Sequence, residues 1–393
     1  MIRRAVASVA VAAVVAVIAT LPVQGQGSGA VAPPLVITAY NGGPAPANWT
    51  PPRTPWGEPD LQGTWSSDDA TFGVSRGGGR GAPAGAAPQG LYLNDEQWAA
   101  RQKQIQDGVV RGENDATSTF RNDFARRAFR QTSYVVDPPS GIMPQPLPEA
   151  RKRAAPRDRG TFGDGPFNSV EDFTLYDRCI TRGIYGSVAR VIYGNGNRIV
   201  QGPGTVAISY EMIHDTRVIY TDGRPHPGNI RQYLGTSRGR WEGDTLVVET
   251  INLTDQTSIG LNGNGLRHSD KMKMTERIRR VADNIVQYQL TVDDPVTYPT
   301  PFTISIPLTP LDGGVLLPYE CHEGNQAIRN SLSAERTEDR ALAEDLAKGI
   351  KRERRPVQEP QGGGGRGRGT GGGRGGAPAG GREGAPAEGD QER

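Results

Sequence analysis

The chain holds four histidines, the side chains best suited to moving a proton near neutral pH, and each has its own setting. His214 stands in Glu211-Met212-Ile213-His214-Asp215. On a strand Glu211 and His214 would point to opposite faces; on a helix they would align at i, i+3. Asp215 suits a turn, which would put His214 at a sheet rim. His226 stands in Asp222-Gly223-Arg224-Pro225-His226-Pro227, a loop in which two flanking prolines restrict the backbone and preorganise the ring. His322 follows Cys321 and precedes Glu323. His268 lies among Gly and Asn and reads as structural.

These residues suggest general acid–base chemistry: His214, His226 or His322 as one partner, and Glu211, Asp222 or Glu323 as the other. Arg217 and Arg224 would hold an anionic or hydroxyl-rich group, and Trp241, Tyr210 and Tyr233 would offer ring faces to it. The same aromatics also suit core and rim packing. No cofactor is expected. A metal is a lesser alternative, because the histidines are far apart in sequence and separate strands would have to assemble the site.

Several classes are disfavoured. There is no Gly-x-Ser-x-Gly elbow, no His-Glu-x-x-His, no phosphate-cradling glycine loop and no Cys-x-x-Cys. The tail carries Arg366-Gly367-Arg368-Gly369, but no aromatic is interleaved for base stacking, and the formal charge of the whole chain is only +2. Nucleic acid is therefore not an expected partner.

The elements that would position these residues are strands. Candidates are Arg198–Gln201, Thr205–Ile213, Arg217–Thr221, Ile230–Leu234, Thr245–Leu253, Lys271–Val281, Asn284–Val292, Thr303–Pro307 and Val315–Cys321, with an earlier one starting near Trp65. Met272, Met274 and Ile278, then Val286, Tyr288, Leu290 and Val292, repeat at spacing two, the period of a half-buried strand. Glu242-Gly243-Asp244 and Ala282-Asp283-Asn284 suit tight reversals. Many short strands with legible turns predict a mainly β fold, an antiparallel β-barrel or sandwich with a few peripheral helices. The helices are expected at Asp95–Gln106, Arg121–Phe129 and Ser333–Gly349, the last capped by Ser331 or Ser333.

Around this domain the composition changes. Residues 1–25 begin with Arg3-Arg4, continue with an apolar run of about 17 residues, and end in small residues near Gly25. This describes a signal peptide. The expectation is export to the periplasm or outside the cell, with no stable membrane span after cleavage. Residues 26–60 are a Pro-rich leader that Trp49 and Trp56 would pin down, 61–350 the single β-rich domain, 76–90 a flexible Gly-rich insertion, and 351–393 a disordered Gly/Arg-rich tail. Gly 53 and Pro 31, against 35% hydrophobic residues, place the folded part well below 393 residues. An exported chain with Cys179 and Cys321 as its cysteines is expected to join them in a disulfide.

Five segments are long enough to be distinctive: Glu58-Pro59-Asp60-Leu61-Gln62-Gly63-Thr64-Trp65, Glu211 to Asp215, Asp222 to His226, Gly239-Arg240-Trp241-Glu242-Gly243-Asp244-Thr245-Leu246-Val247-Val248-Glu249-Thr250, and Tyr319 to Asn325. Together they resemble a family of exported bacterial proteins with no assigned activity, so the resemblance implies export and transfers no catalytic residue. Gly63-x-Trp65 ahead of antiparallel strands is also similar to the opening of lipocalins, which implies a barrel with a ligand cavity. The functional expectation is a protein that binds a small ligand, a small molecule or a carbohydrate-like one, in a barrel or sandwich cavity. The alternatives are a hydrolase or lyase acting on a carbohydrate-like substrate, and a structural or surface-attached protein.

Overall fold

A strand with apolar side chains at every second position can hide that face only against another sheet or by curling its own sheet closed. Here the sheet closes. The computed structural model describes residues 49–67, 90–103, 129–154, 166–191, 194–260, 263, 265–311 and 313–353. Its strands are β1 (Gly63–Ser66), β2 (Val135–Asp137), β3 (Gly196–Gly202), β4 (Thr205–Tyr210), β5 (Thr216–Tyr220), β6 (Thr236–Glu242), β7 (Thr245–Ile251), β8 (Ser258–Ile259), β9 (Leu266–Arg267), β10 (Lys273–Ala282), β11 (Ile285–Asp293) and β12 (Phe302–Pro310). Helices α1 (Pro148–Ala154), α2 (Gly183–Val188) and α3 (Ala327–Ala347) lie outside the barrel. A further helix opens at residue 95 and is described through 103.

The barrel order is β1-β3-β4-β5-β6-β7-β10-β11-β12, closed by pairing of β12 with β1. β2 adds to the free part of β12, and β8 pairs with β9 apart from the barrel. A ring of nine strands cannot alternate direction all the way round, so one pair must be parallel. That pair is β5 with β6; every other junction is antiparallel.

The lumen is a packed core. Ile199, Ile208, Leu246, Val248, Ile278, Leu290 and Ile306 are among its buried members. Each large aliphatic side chain so buried contributes roughly 1.5–3 kcal/mol relative to exposure. Trp65 of β1 seals one side, with Leu61 fully buried beside it and its N–H donating to Gln201 Oε1 at 2.6 Å. Leu61 therefore pins the leader. Trp56, expected in that role, is exposed and donates to Glu58.

Period-two segments fold as expected, and the departures have local causes. β4 stops at Tyr210, because the next residues make a 3-10 turn in which Ile213 and His214 take positive φ of 64° and 45°. Ile230–Leu234 makes only an isolated bridge between Gln232 and Leu253, as part of the crossover described below. Val315–Cys321 is not a strand: Val315 and Leu317 are 66% and 68% exposed, so its alternation hides nothing. α3 starts at Ala327, ahead of both expected serine caps, because Asn325 already accepts from the Ala327 N–H at 3.1 Å. β6, Thr-Ser-Arg-Gly-Arg-Trp-Glu, is a strand that periodicity did not reveal.

Cys179 and Cys321 form the expected disulfide, with Cα atoms 5.6 Å apart across 142 residues. It ties the segment before α2 to the chain that leads into α3. The expected signal segment, most of the leader, nearly all of the 76–90 insertion, the second helix up to 128 and the tail from 354 lie outside the described residues.

Candidate functional site

Parallel neighbours cannot be joined by a tight hairpin; the chain must cross from one end of the sheet to the other. Residues 221–235 make that crossing, and they contain the Pro-braced histidine loop. The parallel ladder itself is short, Ile219 opposite Ser237 and Tyr220 opposite Arg238. Ahead of it the two strands are not paired, and the wall opens into a cleft of about 830 Å³. Both inward side chains (Arg217, Ser237) and outward ones (Thr216, Val218, Arg238) line it, so the cleft passes between the strands. Tyr233 and Leu234 from the crossover, Thr181 before α2, and Thr254 and Gln256 beyond β7 complete its walls.

The crossover is tied down at several points. Asn252 Nδ2 donates to Pro227 O, Gly228 O and Thr236 Oγ1 at 3.0, 3.1 and 3.1 Å. Arg238 Nε donates to Pro225 O at 3.0 Å. His226 Nδ1 lies 3.0 Å from Thr236 Oγ1, and its Nε2 lies 3.5 Å from Glu249 Oε1. Burial lowers the His226 pKa despite the Glu249 charge. Arg231 pairs with Asp270, whose carboxyl is held below its usual range by that guanidinium. Arg224 pairs with Asp222 and sits 4.0 Å over the Tyr220 ring.

The floor of the cleft is charged. Arg217 Nη1 donates to Glu276 Oε2 at 2.5 Å, and Nη2 to Oε1. Both side chains are almost wholly out of water. Tyr288 Oη donates to Glu276 Oε1 at 2.5 Å, Arg217 Nε donates to Tyr210 Oη at 3.1 Å, and Arg217 Nη1 reaches Ser237 Oγ at 3.3 Å. A buried ion pair persists only when its remaining donors and acceptors are also met, and this network engages four of the five Arg217 N–H groups and both Glu276 oxygens. Burial pushes the Tyr210 hydroxyl up to about 12 and raises that of Tyr288 well above its ordinary value.

Comparison with family models, with curated proteins and with solved structures finds no match. The site must therefore be read from its own residues.

Of the residues singled out from sequence, Arg217 and Tyr233 line the cleft and Tyr210 bonds to Arg217 beneath it. Asp222, Arg224 and His226 lie on the crossover beside it. The others lie elsewhere. Glu211 accepts from the backbone N–H groups of Gly196 and Leu317, which makes it a structural brace. His214 is exposed at the 3-10 turn. His322 and Glu323 are exposed in the turn beside the disulfide. Trp241 packs on the core toward the other end of β6, opposite Leu246. His268 is buried; Nδ1 donates to Ser269 O at 2.9 Å, so Nε2 accepts from the Thr257 hydroxyl. Among the described residues no three His, Cys, Asp or Glu side chains gather as a metal ion requires.

Three residues were missed. Asp215 borders the cleft and accepts from Thr181 Oγ1 at 2.6 Å; burial raises its pKa. Arg238 is hidden in a strand that lacks period-two apolarity. Glu276 did leave a signal: it stands on the apolar face of its strand, between Met274 and Ile278, where a charge requires a buried partner.

Proposed function

We propose that this chain is an exported binding protein that holds a small polar ligand in the cleft between β5 and β6 rather than in the barrel lumen. The observation that carries this reading is the cleft itself. Its volume, about 830 Å³, lies in the range of small-molecule sites, and its lining mixes ring faces with hydroxyl, amide and guanidinium groups. Export is supported by the basic and apolar first 25 residues and by the Cys179–Cys321 disulfide, a bond that persists in oxidising compartments.

Val218 is 45% exposed and lines the cleft, so Val218→Trp would place a bulky ring in its path and leave the core intact. A thermal-shift screen of neutral and acidic mono- and disaccharides should find a class that stabilises the native protein and fails to stabilise Val218→Trp. No shift with any compound, or equal shifts in both proteins, would defeat the reading.

A second reading, acid–base chemistry on a carbohydrate-like substrate, is favoured by one feature. Asp215 faces the cleft with a carboxyl whose pKa burial raises, as suits a general acid. On that reading Asp215→Asn would abolish turnover of a bound glycoside while retaining its binding.

A further inference from the structure

Each guanidinium at the cleft can be sorted by what balances its charge. Arg217 is matched by Glu276, and Arg231 by Asp270. On the adjoining crossover Arg224 is matched by Asp222. Arg238 differs: among the described residues no carboxylate pairs with it. Its contacts are backbone carbonyls, Nε to Pro225 O at 3.0 Å and Nη1 to Ser237 O at 2.8 Å. Its guanidinium also lies 5.3 Å from the centre of the Tyr220 ring.

These contacts hold Arg238 in place without neutralising it. A guanidinium has five N–H donors in a rigid fork; two are used here and three remain. The two carbonyls and the ring face fix the side chain beforehand, so an incoming anion would not bear the full entropy of ordering it. Two guanidiniums approach the Tyr220 ring; Asp222 pairs with that of Arg224, whereas Glu249, opposite Arg238 across β6 and β7, lies beside His226 and makes no ion pair with Arg238.

The rest of the cleft has a different chemistry. Thr216, Gln232 and Gln256 supply hydroxyl and amide groups, and Tyr233 supplies a ring. Such groups suit a hydroxyl-bearing body and have no preference for charge. Asp215, the carboxyl that borders the cleft, is held by Thr181, so it lies on the wall near α2.

We propose that the cleft selects acidic polyhydroxylated ligands, with a carboxylate or phosphate group seated on Arg238 and the hydroxyl-bearing body against the polar wall. This inference rests on the cleft being the binding site, as argued above. The shared chemistry is an anionic oxygen group on a sugar-like frame; a sugar acid and a sugar phosphate both provide it.

The test is calorimetric titration of the full chain with glucuronate, glucose 6-phosphate and neutral glucose, repeated on Arg238→Gln, Arg238→Lys and Val218→Trp. At least one acid should bind about tenfold or more tightly than glucose. Arg238→Gln should weaken that acid about tenfold or more and leave glucose unchanged, while Arg238→Lys keeps part of the gain. Whichever acid responds identifies carboxylate or phosphate as the group recognised. Equal binding of acids and glucose, abolished by Val218→Trp, would overturn the anion preference and leave the cleft reading standing. Binding that survives Val218→Trp, or no binding at all, would overturn both. If Arg238→Gln weakens acids and glucose alike and lowers the melting temperature, Arg238 is structural and the inference fails.

Discussion

Arg217 and Glu276 meet inside the barrel although their strands, β5 and β10, are separated by β6 and β7. The ion pair lies in the lumen beneath a thinly paired junction, since β5 and β6 share only two paired positions, as few as β1 and β12 do. What the short parallel ladder cannot hold by backbone hydrogen bonds, the side chains hold from inside. The junction that opens the cleft is thus braced by the pair that forms its floor.

Removing one partner of this pair should cost far more than removing both. Glu276→Ala strands the Arg217 charge in the core and should destabilise the protein by about 3–5 kcal/mol. The double variant Arg217→Met, Glu276→Leu replaces charge with apolar volume and should recover most of that loss. Urea unfolding of the three proteins measures both values. A Glu276→Ala loss below about 1 kcal/mol would mean that water reaches the pair.

His268 should make stability fall on mild acidification. Burial lowers its pKa, against the opposing pull of the Ser269 carbonyl and the Asp294 charge. The unfolded chain therefore binds a proton first. Its stabilising contribution is complete above an unfolded pKa of about 6.5 and is lost as pH falls from there toward the lower folded value. His226 is shifted in the same direction and adds to the slope. Asp215, with its pKa raised, acts with the opposite sign, so its contribution shrinks as pH rises through its own acidic range. Denaturation midpoints between pH 7.5 and 5.5 should decline in the native protein and decline less in His268→Gln. Parallel slopes would show that His268 takes up its proton as readily folded as unfolded.

Reduction of Cys179–Cys321 should be costly because the bond closes so long a loop. A 142-residue closure removes unfolded-state entropy equivalent to about 5 kcal/mol in the chain-entropy model. The bond also holds Cys321 and Tyr319 against the small cluster of Val191, Met212 and Ile213. Unfolding with and without reductant, and of the double Cys→Ser variant, should show a matching loss. If the midpoint is unchanged, the segment before α2 and the chain leading to α3 are held together by other contacts.

The parts of this fold that were legible in the sequence are those governed by neighbours in the chain. β10 and β11 announce themselves because Met274, Ile278, Tyr288 and Leu290 recur with the pleat. The disulfide follows from two cysteines in a chain that begins like an exported one. The helix opening at residue 95 follows from its cap, with the Gln97 N–H donating to Asn94 Oδ1 at 2.8 Å. The His226 loop was visible as a rigid segment, although nothing local showed that it is the crossover of a parallel pair.

The site itself depended on closure, which no local pattern records. Nine strands in a ring force one parallel junction, and only the tertiary order places it at β5 and β6. Closure decides that Arg217 meets Glu276, that Arg238 makes no ion pair among the described residues, and that Glu211, His214 and His322 stay out of the cleft. It also explains why β6 escaped detection. A Cβ at Gly239 would lie 2.9 Å from Ile219 Cγ2, 2.9 Å from Thr221 Cγ2 and 3.2 Å from Leu246 Cδ1, so the barrel demands a glycine where propensity would place a β-branched residue. The sequence by itself determined which segments would bury one face; the tertiary structure decided which faces meet, because crowding and charge pairing in a closed ring act between residues far apart in the chain.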